Sequence, residues 1–241
     1  MIPINYHYEI SAWIYQVIHD GDPVFSKWLH EMGYADDKKR FRLFTFSHLI
    51  IPKRKIQGDR IIIHSDDIQL IVSFLPLDAI NHFIQGLFRH QELRLGDRQS
   101  QVPFRVISVE GIIEPEFRDE MSFRSLSPIL VSMNIPGEKY ARYLSPEHPE
   151  FGELFFRNLR EKWKAFSGKP YDTGESEERL TISSPIKKKG ILIKAGTPME
   201  SKLIGYQFDF RLDAPAELIR IGYYTGFGEK NSMGFGCVEI K

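Results

Sequence analysis

The chain has 241 residues, and its 32 basic and 32 acidic side chains give a formal net charge of zero. This balance argues against non-specific electrostatic binding to polyanions, although a local stripe of basic residues can still bind phosphate. The one cysteine, Cys237, excludes a disulfide framework and a cysteine-based zinc site, and it suits a reducing compartment. Neither an export signal nor an apolar run long enough to cross a bilayer is recognisable, so we expect a cytoplasmic protein without a membrane partner.

Predicted helices and strands alternate through the first half of the chain. Apolar residues spaced over Ile10–Ile18 predict a helix, and Asp22 is the predicted N-cap of a short second helix that ends near His30. Strands are predicted over Arg42–Ile50, Arg60–His64, Gln69–Leu75 and Phe104–Ile113, and an amphipathic helix over Leu77–His90. We expect the second and third of these strands to pair with each other across a short turn.

The second half continues in the same way from a boundary near Glu114, which divides the chain into predicted domains 1–113 and 114–241. A helix is predicted over Phe151–Phe166. Strand composition is found over Phe123–Met133, Leu180–Ile182, Gly190–Lys194, Leu203–Leu212, Leu218–Tyr223 and Gly236–Ile240, with a short helix around Pro215–Leu218. The long apolar runs of a parallel sheet are missing, so we expect an α+β protein with two antiparallel sheets, each covered by helices on one face.

Two Gly-Phe-Gly units form the most informative motif. Gly226-Phe227-Gly228 and Gly234-Phe235-Gly236 enclose five residues, which include Lys230, Asn231 and Ser232. Glycines at this density indicate backbone that turns at positive φ or lies against a bulky partner. The enclosed residues can donate hydrogen bonds but provide no nucleophile and base. Such a loop is suited to hold something extended, and a phosphodiester chain is the natural candidate.

Other interpretations of the glycines fail on spacing. A phosphate-binding Walker loop needs Gly-Lys-Ser/Thr, whereas Lys230 is followed by Asn231. A dinucleotide fingerprint needs a third glycine at Asn231 and should open a helix. The sequence contains no His-Glu-x-x-His motif and no paired cysteines. We therefore expect neither a cofactor nor a bound metal.

The chain resembles the CRISPR-associated endoribonucleases of the RAMP superfamily, which cut precursor CRISPR RNA within its repeats. The resembling stretches are Pro3–Tyr15, Arg42–Ser47, Ser125–Ile129 and the glycine-rich run Gly222–Gly236, in family order. The resemblance implies two tandem ferredoxin-like domains, related to the RNA-recognition fold, with RNA crossing the cleft between them. The family usually has a full strand before Pro3, so the first sheet is expected to lack an edge strand unless the start is trimmed.

The resemblance also implies a chemistry and a set of catalytic residues. In this family the RNA's own 2′-hydroxyl attacks the adjacent phosphorus, which leaves a cyclic phosphate and a 5′-hydroxyl without a metal-activated water. By matching positions, the catalytic residues fall on Tyr15, His30 and Arg42. Family members often have lysine at the last position. Arginine keeps the charge but is not a proton donor, so Arg42 is expected to stabilise charge, a role that Arg40 or Lys39 can take instead.

Three groups of basic residues are candidates for phosphate contacts. Lys187, Lys188 and Lys189 are preferred because they precede a strand of the glycine-loop domain, and they join the loop residues as the expected RNA-binding set. That set consists of Gly226, Gly228, Lys230, Asn231, Ser232, Gly234, Gly236 and the three lysines. The other groups are Lys53–Lys55 and the helix residues Arg157, Arg160, Lys162 and Lys164. Exposed charge runs are usually solvated faces, so only one or two groups should touch RNA.

Alternatives remain for both the residues and the function. His30 near a helix end is more often a capping or packing residue, and His48 is the second candidate for the catalytic histidine. Tyr15 on an apolar helix face is commonly a core residue. The protein can also be a non-catalytic RNA-binding scaffold of the same superfamily, or a ferredoxin-like protein that binds another anion. Beyond repeat RNA, the candidate partners are other CRISPR effector subunits and a second copy of the chain.

Overall fold

The computed structural model describes residues 1–37, 39–172 and 177–241. Its helices are α1 (His7–Gly21), α2 (Pro23–Glu31), α3 (Leu77–Arg89), α4 (Phe151–Ser167) and α5 (Ala216–Thr225). The strands are β1 (Ile2–Pro3), β2 (Tyr34–Asp36), β3 (Lys39–Phe41), β4 (Phe44–Phe46), β5 (Arg54–Gln57), β6 (Arg60–Ile63), β7 (Val72–Phe74), β8 (Glu92–Gly96), β9 (Gln101–Arg105), β10 (Glu120–Ser125), β11 (Ser132–Met133), β12 (Arg142–Tyr143), β13 (Arg179–Ile182), β14 (Lys187–Ile193), β15 (Ser201–Gln207), β16 (Asp209–Asp213) and β17 (Val238–Ile240).

The C-terminal half has the connectivity of a ferredoxin-like domain. Its four-stranded sheet has the order β13-β16-β10-β17, and every pairing in it is antiparallel. Along the chain these strands and the helices α4 and α5 follow one another as β10-α4-β13-β16-α5-β17. This is the split β-α-β pattern, in which the first and third strands lie at the centre of the sheet. The β14–β15 hairpin is inserted between β13 and β16.

Aromatic rings fill the core between this sheet and its helices. Phe155 of α4 and Phe227 of the glycine motif are stacked, with ring centroids 5.5 Å apart and an interplanar angle of 5°. Phe210 of β16 meets Phe227 edge to face at 5.3 Å. All three side chains are fully buried. The glycine-rich segment is therefore anchored in the domain core by its first phenylalanine.

The N-terminal half repeats the same order of elements as β1-α1-β4-β7-α3-β8, with the β5–β6 hairpin inserted. Helices α1 and α3 cross at small residues. A Cβ atom added to Gly86 would lie 1.7 Å from the Val17 carbonyl oxygen, so only glycine permits this approach. Strand β4 pairs with β7, and its Phe44 and Phe46 are fully buried in the core of this half. The two halves together confirm the predicted α+β fold of two tandem ferredoxin-like domains.

The connection between the halves is extended. Residues 106–119, all of which the structure describes, form neither helix nor strand, and the predicted boundary after residue 113 lies within them. At the start of the chain, Ile2 and Pro3 pair antiparallel with Ile61 and Arg60. The first sheet therefore has a short edge strand where the resemblance raised the expectation of none. Among the described residues, no helix combines the length and the apolar character needed to span a bilayer.

Several predicted strands were wrong in type, extent or partner. Leu218–Tyr223 is part of helix α5, whose buried Leu218, Ile221 and Thr225 follow helical spacing. The strands near Arg60 and Gln69 do not pair with each other, because β6 pairs with β1 and β5, while β7 pairs with β4.

Other predicted strands are shorter than expected. The segment from Leu203 to Leu212 is divided at Phe208, whose backbone N–H donates to the Ser125 hydroxyl at 2.9 Å. Within the segments predicted over 42–50, 123–133 and 236–240, strand structure is limited to β4, to the end of β10 together with β11, and to β17. The strand predicted over 104–113 overlaps β9 only at Phe104 and Arg105.

Candidate functional site

A cavity of about 940 Å³ opens between the two halves. Its walls come from α1, α2 and the β3–β4 segment on one side, and from α4 and residues 229–233 on the other. Seven lysine and arginine side chains and three glutamates line it. The basic residues are Lys27, Lys39, Arg40, Arg42, Arg157, Lys162 and Lys230. Lys162 is fully buried, and the other six basic side chains are at least partly exposed. Although the whole chain is neutral, these six outnumber the three glutamates, so this surface carries a local positive charge that suits a polyanion.

The structure brings Tyr15, His30 and Arg42 together in this cavity. The Tyr15 and His30 rings meet edge to face, with centroids 5.1 Å apart and an interplanar angle of 81°. The guanidinium Nη2 of Arg42 donates a hydrogen bond of 2.6 Å to the backbone carbonyl of His30. His30 is exposed to the cavity, whereas Tyr15 and Arg42 are half-buried. The arrangement presents an imidazole, a phenol and a guanidinium to one space.

The helix that carries His30 starts where the sequence predicts. The carboxylate of Asp22 accepts hydrogen bonds from the backbone N–H groups of Val24 and Phe25 at 2.8 and 2.9 Å, and Pro23 occupies the first helical position. The bond from Phe25 is the main reason that the pKa of Asp22 is lowered. Because the cap fixes the start of α2, it also fixes where the last turn with His30 meets Tyr15.

Burial gives the phenol of Tyr15 a defined protonation state. Desolvation raises the pKa of Tyr15, and the charge of Arg42 together with hydrogen bonding by Ser232 and Arg42 only partly opposes this. The hydroxyl is consequently protonated at neutral pH and available as a hydrogen-bond donor. The Phe44 ring also meets the Tyr15 ring edge to face, with centroids 5.5 Å apart.

The glycines form the buried base of the glycine-rich loop. A Cβ atom on Gly234 would lie 2.5 Å from the Phe46 ring, and one on Gly228 would lie 2.4 Å from the Leu130 carbonyl oxygen. Both glycines have positive φ angles, of 82° and 72°. Gly226 and Gly236 are buried in the same way. The glycines thus let the loop lie against both halves of the protein.

The loop tip, residues 229–233, is the part that lines the cavity. Lys230 is exposed and adopts a left-handed backbone conformation with φ 59°. The Asn231 amide Nδ2 donates to the Phe235 carbonyl at 2.9 Å, so this side chain holds the loop together. The Ser11 hydroxyl donates to the Ser232 carbonyl at 2.7 Å, which ties the tip to helix α1. Of the predicted loop residues, Lys230 and the Ser232 side chain are the best placed to meet a ligand.

The preferred lysine group lies outside this cavity. Lys187, Lys188 and Lys189 are exposed on β14, which pairs with β15. His48, the second candidate for the catalytic histidine, lies near them, since the charge of Lys189 acts on it. Burial first, and then the charges of Lys189 and Arg54, lower the pKa of His48 to about 4. His48 is not among the residues that line the cavity with Tyr15 and Arg42.

Sequence reasoning missed the role of Lys162, which it grouped with solvated basic residues. The Lys162 ammonium is fully buried and donates to the carbonyl oxygens of Gly226 at 2.6 Å and Gly228 at 2.8 Å. A signal was present, because Phe155, Leu159 and Lys162 share the spacing of one helix face. A lysine in register with an apolar stripe indicates a buried amine.

Glu229 was also missed. Its carboxylate accepts hydrogen bonds from the backbone N–H and the hydroxyl of Ser132, at 2.9 and 3.0 Å, which connects the loop tip to β11. Arg40 and Lys39, the expected substitutes for Arg42, line the same cavity. The Lys39 ammonium is paired with Glu161 at 2.6 Å. Within the described ranges, no group of three or more His, Cys, Asp or Glu side chains is arranged to hold a metal ion.

Two ferredoxin-like domains that face each other across a basic cleft define a protein of the tandem RAMP type. Two family models cover nearly the whole chain: "CRISPR-associated protein Cas6, N-terminal" matches residues 1–106, and "CRISPR associated protein Cas6, C-terminal" matches residues 112–240. The chain belongs to the Cas6 family of CRISPR-associated proteins.

Individual proteins agree with this assignment. The chain is 31% identical to the "CRISPR-associated endoribonuclease Cas6 1" of Methanocaldococcus jannaschii, over 99% of this chain and 87% of that protein. A solved structure of a Cas6-related gene product from Pyrococcus furiosus has a TM-score of 0.85 at 28% identity, covering 100% of this chain and 92% of the other. A second solved structure, described as a RAMP protein binding different RNA substrates, has a TM-score of 0.83 at 26% identity, covering 100% of this chain and 93% of the other.

Proposed function

We propose that the protein is an endoribonuclease that cuts the repeats of precursor CRISPR RNA by attack of the RNA's own 2′-hydroxyl. The observation that carries this proposal is the cavity in which Tyr15, His30 and Arg42 meet beside the loop tip. Its excess of basic side chains suits a phosphodiester chain. Membership of the Cas6 family, with a relative named as an endoribonuclease, supports the same activity.

The reaction needs a proton to be moved from the attacking 2′-hydroxyl to the departing 5′-oxygen, and it needs stabilisation of the negative charge that develops on the phosphate. The 2′-oxygen forms a bond to the adjacent phosphorus, and the bond from phosphorus to the 5′-oxygen breaks, leaving a 2′,3′-cyclic phosphate and a 5′-hydroxyl. The His30 imidazole takes the proton from the 2′-hydroxyl and returns it to the departing 5′-oxygen. Acid–base catalysis of this kind supplies roughly 10²–10⁴-fold in rate. Since no water nucleophile takes part, no metal is needed to activate one.

Tyr15 and Arg42 complete the site. The protonated phenol of Tyr15 donates a hydrogen bond to a phosphate oxygen and restrains the attacking ribose. The Arg42 guanidinium, held by the His30 carbonyl, keeps further N–H donors for the oxygens that gain negative charge in the transition state. This hydrogen bond holds the Arg42 guanidinium at a fixed distance from the backbone of His30, so the two groups keep their relative positions during the reaction.

Repeat RNA is the partner in this proposal. The strand follows the loop tip, where Lys230 contacts a phosphate, and continues over the exposed lysines 187–189, which add contacts outside the cavity. Phosphate contacts position the strand without reading its sequence. Base contacts near the cut are then needed to select the repeat.

The proposal is tested with repeat RNA in excess EDTA. We expect cleavage to continue, to leave a cyclic phosphate, and to stop when the scissile nucleotide is replaced by its 2′-deoxy form. A requirement for divalent ions, or cleavage of the deoxy substrate, contradicts the mechanism. Tight binding of the repeat without any cleavage supports the non-catalytic scaffold instead.

A further inference from the structure

A lysine is buried behind the glycine-rich loop, where an apolar residue would be expected. Lys162 lies on the face of α4 that also carries the fully buried Phe155 and Leu159. Burial lowers the pKa of Lys162 to about 7, while Glu229 and Glu161 raise it in part. Placing an amine there costs desolvation energy, and replacing such a group by a well-packed apolar side chain is often neutral for stability. Its presence therefore needs a reason other than packing.

The hydrogen bonds of Lys162 identify that reason. Both acceptors are carbonyl oxygens of the first Gly-Phe-Gly unit, those of Gly226 and Gly228, which flank the buried Phe227. The next residue, Glu229, is fixed in turn by Ser132. The amine thus sets the backbone at the point where the buried base of the loop passes into the exposed tip.

We propose that Lys162 is a positioning residue, whose amine ties the Gly226 and Gly228 carbonyls together and so holds the loop tip, residues 229–233, as a wall of the cavity that His30 lines. Lys162 itself does not touch RNA, since its side chain is fully buried. The effect on cleavage rests on the proposed function, whereas the effect on the loop does not. Displacing a positioning group by about 1 Å can cost 10²-fold in rate, so a loosened tip should be seen in catalysis.

The test compares Lys162→Met with Lys169→Met. Both substitutions replace a lysine by an unbranched apolar residue of similar length, but Lys169 lies just after the end of α4, is exposed, and does not line the cavity. Two quantities are measured for each variant and the wild type. The first is hydrogen exchange of the backbone amides over residues 226–236. The second is the single-turnover rate of cleavage with protein at a saturating excess over RNA.

In Lys162→Met we expect amide exchange over the loop to rise about tenfold or more, because two buried carbonyls lose their donor. The saturated cleavage rate should fall about 10-fold to 100-fold at a temperature where the variant is folded. A residue that only stabilises the fold would leave this rate unchanged, since all RNA is bound by folded protein. Lys169→Met should behave like the wild type in both measurements.

Wild-type exchange over the loop together with a wild-type saturated rate in Lys162→Met overturns the proposal. If the wild type binds RNA but does not cut it, the cleavage mechanism fails, and raised loop exchange with weakened RNA binding in Lys162→Met still supports the positioning role. Should Lys162→Met unfold at the assay temperature, Lys162→Gln, a shorter side chain that retains an N–H donor, takes its place. Its loop exchange should rise and its cleavage rate should fall in the same direction, and wild-type values in both measurements contradict the role.

Discussion

Two histidine environments in this protein differ in ways that decide their chemistry. His30 is exposed in the basic cavity, with the Tyr15 ring 5.1 Å away. His7, which is buried, and His48, which is half-buried, form a pair with ring centroids 5.0 Å apart and edge-to-face geometry. Neither nitrogen of His7, nor Nε2 of His48, has a hydrogen-bond partner among the described residues. Burial is the first cause that lowers the pKa of both members of the pair.

Under the proposed function, access to the cavity separates His30, the proposed proton carrier, from the two histidines of the pair. A proton carrier must reach its substrate and change its charge near the working pH. His7 meets neither condition, since it is buried beside Phe46 and Phe235 and burial holds its pKa well below the ordinary value. His48 does not line the cavity, and its pKa is lowered to about 4. From the sequence, His30 and His48 were both reasonable candidates. Only their surroundings in the folded protein distinguish them.

Replacing each candidate histidine by alanine gives the largest expected difference. His30→Ala should reduce the single-turnover rate of repeat cleavage by roughly 10²–10⁴-fold, because the proton carrier is removed, while RNA binding is retained. His48→Ala should lower thermal stability and leave the rate of the folded protein much closer to that of the wild type. Undiminished cleavage by His30→Ala rejects the choice of this residue.

Removing the charge beside His30 should have the next largest effect. Arg42→Met removes a guanidinium aimed at the developing charge, and we expect a loss of about 10²–10³-fold in the saturated rate. Arg42→Lys keeps the positive charge and should recover part of this loss, although it lacks the planar fork. Equal rates for the two variants would show that the charge at this position does not matter.

The exposed lysines of β14 should affect binding more than chemistry. Changing Lys187, Lys188 and Lys189 together to alanine should weaken RNA binding by about 10-fold to 100-fold at low salt. The slope of log K against log salt should fall by roughly 0.7 for each phosphate that the variant no longer neutralises. Binding titrations at several salt concentrations measure this slope. An unchanged slope means that this strand does not touch the RNA backbone.

The smallest effect concerns stability in mild acid. The pKa of His48 is about 4 in the folded protein against an ordinary value of 6.5, so the unfolded chain takes up this proton first as the pH falls. The stability linked to His48 is present above pH 6.5 and is lost as the pH falls toward 4. Between pH 7 and 5 the wild type should lose about 1–2 kcal/mol more unfolding free energy than His48→Leu. Urea unfolding of both proteins at each pH provides the measurement. Equal losses of unfolding free energy in the two proteins would contradict the expected role of His48.

The sequence was most informative where local chemistry decides structure. The Asp22 cap, the helix over Phe151–Ser167 and the position of the glycine-rich loop were all predictable from short-range patterns. The helix over Ala216–Thr225 was not, because Ile219, Ile221 and Tyr223 have strand propensity that packing against the core overrides.

The candidate site was only partly predictable for a related reason. The resemblance brought Tyr15, His30 and Arg42 to notice, but the burial of the loop glycines depends on Phe46 and Leu130, which are distant in sequence. The hydrogen bonds of Lys162 likewise join residues 64 and 66 positions apart. Such long-range contacts leave no local pattern beyond a lysine in an apolar stripe.

The most direct measurement is the structure of the protein bound to repeat RNA that carries a 2′-deoxy substitution at the scissile nucleotide. The scissile phosphate is expected within hydrogen-bond reach of His30 and Arg42, with the neighbouring backbone against Lys230. A scissile phosphate beside His48, or an RNA strand that leaves the loop tip uncovered, would contradict the assignment of the cavity as the cleavage site.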